Sequence, residues 1–127
     1  MPKTPGLYER GLAVRRQVLG NNYVDTSLKN ATSFSTDFQD FTTEVAWGEV
    51  WSRPGLDRKT RSMLTIAMLA AMGCHEELRL HIRASRNTGV TDDELKEILL
   101  QVGVYAGIPA ANTGFQIARS VLEEKAP

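Results

Sequence analysis

Apolar residues recur along this chain at spacings of three and four, the mark of helices that each bury one stripe. Phe34, Phe38, Phe41, Val45 and Gly48 trace one such line, and the helix they mark must stop before Arg53-Pro54-Gly55. Asp57 is placed to cap the next helix, which runs through Met63, Leu64, Ala67, Met68 and Ala71 to Gly73. The second half of that helix is apolar around most of its circumference, so other helices are expected to surround it. A further helix begins near His75, with Glu76 and Glu77 in the first turn, where the macrodipole favours negative charge. It ends at Thr88-Gly89, with Gly89 suited to the left-handed terminal position. Thr91-Asp92-Asp93-Glu94 reads as a capping box ahead of the stripe Leu95, Ile98, Leu99 and Val102. Gly107-Ile108-Pro109 breaks the pattern, and Pro109 suits the start of a last helix that buries Gly114, Phe115, Ala118, Val121 and Leu122. Residues 7–19 and 23–31 carry weaker helical signals. With no hairpin-punctuated strand pair, linker or repeat, the expectation is a single all-α domain over residues 1–127, with six to seven helices.

Composition narrows the function classes. The chain is 42% apolar and 24% charged, ordinary for a globular protein. Fifteen Lys+Arg balance fifteen Asp+Glu, so no global field points to nucleic acid or to a membrane surface. The longest apolar run, MLTIAMLAAMGC, falls short of the roughly 20 residues that span a bilayer, and the N-terminus lacks the apolar core of a secretory signal. One cysteine cannot form an internal disulfide, which suits a reducing compartment. A cytoplasmic protein is expected.

The candidate chemistry gathers in GCHEELRLH, residues 73–81, which holds the only cysteine and both histidines. On a helix, Cys74, Glu77, His81 and Ser85 share one face and His75 points away. A zinc site needs three or four ligands and no HExxH or CxxC pattern accompanies these, so no metal is expected. A two-cysteine redox site lacks its resolving thiol, although a lone thiol at a helix start can act as a peroxidatic or sensor group. Proton transfer fits Glu77 and His81 at i, i+4: the carboxylate orients the ring and holds it protonated, and the ring delivers the proton. An ordinary solvated helix pair has the same spacing. Glu44, Trp47 and Trp51 share another face, equally readable as an aromatic core with a rim carboxylate.

Three stretches, FQDFTTEVAWGEVWSRPGLDRKTRS, EELRLHIRAS and GVTDDELKEILLQVGVYAGIPAAN, resemble the carboxymuconolactone decarboxylase family, and YERGLAVRRQVLG fits it too. The resemblance implies an alkylhydroperoxidase D-like all-α fold built around a helical hairpin and assembled as a homo-oligomer, a trimer or hexamer. The peroxidase members use Cys-x-x-Cys-x-x-x-His with a relay glutamate twelve residues before the first cysteine. Here Cys74 and His81 match, but Glu77 replaces the resolving cysteine and Ser62 the relay glutamate. That departure argues against disulfide-based peroxide reduction and leaves His81 for acid–base work.

The activity implied is decarboxylation of γ-carboxymuconolactone, a lactone dicarboxylate, in aromatic catabolism. Its leaving carboxylate sits on a ring carbon conjugated to the lactone carbonyl. The substrate carries its own electron sink, and no cofactor is expected. For that chemistry the candidates are His81 as proton donor with Glu77 as partner, Arg53 and Arg61, both in family-matching stretches, for the carboxylates, and Trp47 and Trp51 as a wall over the ring or, equally, as aromatic core. Glu44 becomes a second acid–base group, and Asn112 a donor to the lactone carbonyl or, equally, to a neighbouring backbone group. Arg79 and Arg83 read as solvated or intersubunit surface. Two other functions stay open: a single-cysteine peroxidase or redox sensor using Cys74, and a non-catalytic module that binds an organic acid.

Overall fold

The computed structural model describes residues 3–124, and every described element is helical. The chain divides into two compact units, one up to Asp57 and one from Arg58.

The first unit holds α1 (Leu7–Leu19), α2 (Asn21–Asn30) and α3 (Thr36–Phe41), and α3 runs on into a π-helix over Thr42–Trp51. α1 packs on the π-helix, and two glycines set how closely they pass. A Cβ on Gly11 would lie 2.0 Å from the Thr43 carbonyl oxygen and 2.9 Å from the Gly48 nitrogen. A Cβ on Gly48 would lie 2.9 Å from the Leu7 carbonyl oxygen. The two backbones touch, which only residues without side chains permit.

The stripe that the spacing picks out is not the one the chain buries. Phe34 lies in the turn before α3 at 96% exposure, and Phe38, Phe41 and Val45 are also exposed. The face turned inward is Asp40, Thr43, Glu44, Trp47 and Gly48. That face also follows spacings of three and four; it differs from the apolar stripe in that its residues are the ones laid against α1.

The second unit holds α4 (Arg58–Met72), α5 (His75–Thr88), α6 (Asp92–Tyr105) and α7 (Ile108–Leu122). Ser62 near the start of α4 accepts a 2.7 Å hydrogen bond from Thr88 at the end of α5, so these two form the antiparallel hairpin that was expected. Ile66, Leu78, Ile82, Leu95, Leu99, Val102, Ile117 and Val121 make its core. Gly89 adopts the left-handed conformation (φ 89°) and closes α5 through its amide to Ser85. At α6, Thr91 Oγ1 accepts from the Glu94 amide at 3.1 Å, and Glu94 accepts from the Thr91 amide at 2.9 Å, completing the capping box.

Arg79 donates to Ser120 on α7, and Arg83 grips Glu124, two residues past the end of α7, with two nitrogens, so both arginines tie α5 to the C-terminal end of that helix. On α7, Ala111, Gly114, Ile117, Ala118 and Val121 face inward, while Phe115 and Leu122, expected in the core, are exposed. α4 is likewise uncovered at Leu64, Met68 and Met72, where neighbouring helices were expected. Among the described residues no helix is long and apolar enough to cross a membrane.

Candidate active site

α5 presents the proton-handling pair. Cys74 sits at its N-terminal cap, half-buried, and its own amide is used by the Leu69 carbonyl at 3.0 Å. Glu77, one turn in, is exposed, and His81, a further turn on, is half-buried with its Nδ1 shielded from solvent. Burial is the larger influence on the imidazole and the Glu77 carboxylate pulls in the opposite direction, leaving the His81 pKa lowered to about 4. The expectation that Glu77 holds the ring protonated near neutrality is therefore corrected. Removing the ring from water costs its charged form more than one solvent-exposed carboxylate returns. At pH 7 the free protein carries a neutral His81.

This has a consequence for stability. The folded pKa of about 4 lies below the unfolded value of 6.5, so the unfolded chain binds more protons between them. The contribution is complete above pH 6.5 and lost as pH falls towards 4, a loss on the order of 3 kcal/mol. Denaturant titrations at pH 7 and pH 4 should show this drop in the native protein and not in His81→Gln.

Among the described residues no three of His, Cys, Asp and Glu stand close enough to share a metal ion, so the common face of Cys74, Glu77 and His81 is not a ligand cluster. Ser62, which takes the place of the peroxidases' relay glutamate, is fully buried, with its hydroxyl bonded to Thr88. Arg61 lies half-buried on α4 with its Nε shielded from solvent. Asn112 is exposed on α7, where it lines an apolar cleft of about 540 Å³ with Leu99, Leu100, Val104, Ile108 and Phe115. α5 meets α7 at Ser120, so Asn112 stands about 12 Å earlier along α7 than that contact.

The remaining candidates belong to the first unit. Trp47 and Trp51 stack with ring centroids 4.8 Å apart at 27°, as their shared face suggested. Glu44 is buried, and its Oε1 accepts the Thr4 amide at 2.6 Å, so the carboxylate is fixed in place. Arg53 is exposed in the turn that follows the π-helix. Sequence reasoning passed over Arg15, whose side chain is 5% exposed. Its Nη1 donates to Gln39 Oε1 at 3.1 Å and to Thr43 Oγ1 at 3.3 Å, and burial pushes its pKa down. The signal was present: Arg15 follows Gly11 by four residues and precedes Val18 by three, on the side of α1 that is buried.

The sequence profile of the Carboxymuconolactone decarboxylase family matches residues 36–120, beginning in the first unit and running through most of the second. The chain is 53% identical over 117 residues to a 4-carboxymuconolactone decarboxylase of Acinetobacter baylyi, covering 92% of this chain and 87% of that one. It is 42% identical over 118 residues to the nitrosuccinic acid decarboxylase npaB of Metarhizium robertsii, covering 93% of this chain and 82% of the other. With a profile match over most of its length and relatives this similar from end to end, the chain belongs to the carboxymuconolactone decarboxylase family.

Proposed function

We propose that this protein is a carboxy-lyase that converts γ-carboxymuconolactone to 4-oxoadipate enol-lactone and carbon dioxide, with no organic cofactor or metal. The place of such a step is the cytoplasmic breakdown of protocatechuate. The observation that carries the proton chemistry is His81, a half-buried imidazole with its Nδ1 shielded from solvent and within electrostatic reach of Glu77.

In this reaction the bond between the ring carbon and its carboxylate breaks, and the electron pair passes through the ring double bond onto the lactone carbonyl oxygen. Carbon dioxide departs, and the dienolate takes one proton at the carbon next to the carbonyl. The protein has to hold two carboxylates, stabilise a delocalised anion and supply that proton. His81 supplies it. The ring is neutral in the free protein, but an anionic substrate beside it favours the charged form, so binding draws a proton onto the ring. Glu77 orients it. Arg61 and Arg53 take the carboxylates, the indoles of Trp47 and Trp51 face the ring, and Glu44 serves as a second acid–base group. Asn112 is assigned to the lactone carbonyl.

The name of the Metarhizium relative supports a broader substrate class. Nitrosuccinic acid is also a dicarboxylic acid, and its leaving carboxylate sits on the carbon bearing the nitro group, which can accept the electron pair as a nitronate. The common demand is one retained carboxylate, one leaving carboxylate and one protonated carbon.

We also propose that the protein works as a homo-oligomer, a trimer or hexamer. Val104 is 78% exposed and Tyr105 84% exposed at the end of α6, with Ile108 just beyond, an apolar group of the kind that marks association surfaces.

The test is turnover by purified, chelator-treated protein on three substrates: the lactone generated in situ, nitrosuccinic acid and an organic hydroperoxide. Rapid carbon dioxide release from the lactone supports the reading. Peroxide consumption without decarboxylation would replace it with the Cys74 peroxidase. Cys74→Ser is expected to change kcat less than about twofold, since decarboxylation has no thiol step; a lost activity would assign the chemistry to sulfur.

A further inference from the structure

A π-helix as long as Thr42–Trp51 is rare, since five-residue hydrogen-bonded turns usually persist for a single turn within an α-helix and cluster at functional sites. Something must hold the wider register, and α1 touches the segment at three heights. Arg10 Nε donates to the Gly48 carbonyl at 3.4 Å. Gly11 lies against both the Thr43 oxygen and the Gly48 nitrogen, the two atoms that a five-residue turn brings together. Arg15 reaches across the α-to-π junction, from Gln39 in the last turn of α3 to Thr43, the second residue of the π-helix. Thr43 Oγ1 in turn donates to the Gln39 carbonyl at 2.8 Å, so Arg15 and Thr43 together occupy the polar groups at the point where the hydrogen-bond pattern changes.

Arg15 is also costly where it stands. Its guanidinium is buried, the two acceptors it reaches, Gln39 and Thr43, are uncharged, and its Nε has no hydrogen-bond partner among the described residues. An apolar side chain of similar length would fill the space without that cost. What an apolar residue would not do is specify where α gives way to π.

We propose that Arg15 is a positioning residue that locks the π register of Thr42–Trp51, and through it the placement of Glu44 and the Trp47–Trp51 stack. Its effect on turnover rests on the reading that Glu44 and the two indoles serve the reaction. The register itself has an independent reporter. Trp47 and Trp51 are the only tryptophans in the chain. Both lie within the π-helix, and their stack, with centroids 4.8 Å apart, depends on how that register places residues 47 and 51. A stacked indole pair gives an exciton couplet in far-ultraviolet circular dichroism that separated indoles lack.

The experiment compares Arg15→Met, Thr43→Val and Arg15→Lys with the native protein by that couplet and by steady-state kinetics. Arg15→Met and Thr43→Val are expected to weaken the couplet and lower kcat on the order of a hundredfold, with KM changed much less. Arg15→Lys, which keeps a donor for the same oxygens, recovers most of both. A native couplet with native kcat in Arg15→Met overturns the proposal. A lost couplet with native kcat keeps the register lock and instead removes Glu44 and the indoles from the reaction. Should Arg15→Met not fold, Thr43→Val decides by the same two readouts.

Discussion

Replacing His81 with alanine is expected to lower kcat on the order of a thousandfold while the helical signal persists. The size follows from the step lost: a positioned proton donor contributes about 10² to 10⁴ to a rate, and no second histidine shares this face of α5. The alternative imidazole, His75, is exposed and points away from the Glu77–His81 line. The pH profile adds a signature that mere packing would not give. Since the free ring titrates at about 4 and a bound anion raises that value, kcat should decline on the alkaline side with an apparent pKa above 4. In the alanine variant the residual rate should lose that limb. Glu77→Gln is the milder companion, because it removes the smaller of the two influences on the ring and leaves burial intact.

Gly11→Ala is expected to be the most destabilising single methyl that can be added to the first unit. The new carbon would sit 2.0 Å from the Thr43 carbonyl oxygen, and no rotamer change relieves a clash with backbone. Either α1 lifts from the π-helix or the π-helix changes register. Overpacking of this kind costs about 1–3 kcal/mol when side chains can yield, and here they cannot, so a loss of about 3 kcal/mol or more is expected. Chemical denaturation measures it, and the contrasting substitution is Gly55→Ala. A Cβ on Gly55 would meet nothing within 4 Å, and its stability should stay within about 0.5 kcal/mol of native.

The elements legible in the sequence are those whose cause is local. Thr91 and Glu94 cap α6 because both partners lie within one turn, and Gly89 ends α5 because a single left-handed residue suffices. The π-helix was not legible. Spacings of three and four from Phe34 to Gly48 read as α, and the wider turn goes with contacts from Arg10, Gly11 and Arg15, remote in sequence. Exposure failed for a related reason: Phe38, Phe115 and Met68 have the spacing of core residues, and periodicity says that a stripe is apolar without saying what covers it. At the site, the i, i+4 spacing was enough to pair Glu77 with His81. It could not show that burial outweighs the carboxylate, since burial is a property of the packed chain. Arg15 escaped notice because its spacing from Gly11 and Val18, though that of a buried face, is outweighed in sequence by its charge and by the arginine beside it.

The measurement that tests the central claim most directly is product analysis by NMR in deuterium oxide, with γ-carboxymuconolactone generated in situ and the chelator-treated native protein added. Cofactor-free decarboxylation predicts rapid appearance of the enol-lactone with one deuterium at the carbon next to the carbonyl. The same mixture with His81→Ala should show lactone that persists. Lactone left untouched by the native, folded protein, or a product formed equally fast without His81, would contradict it.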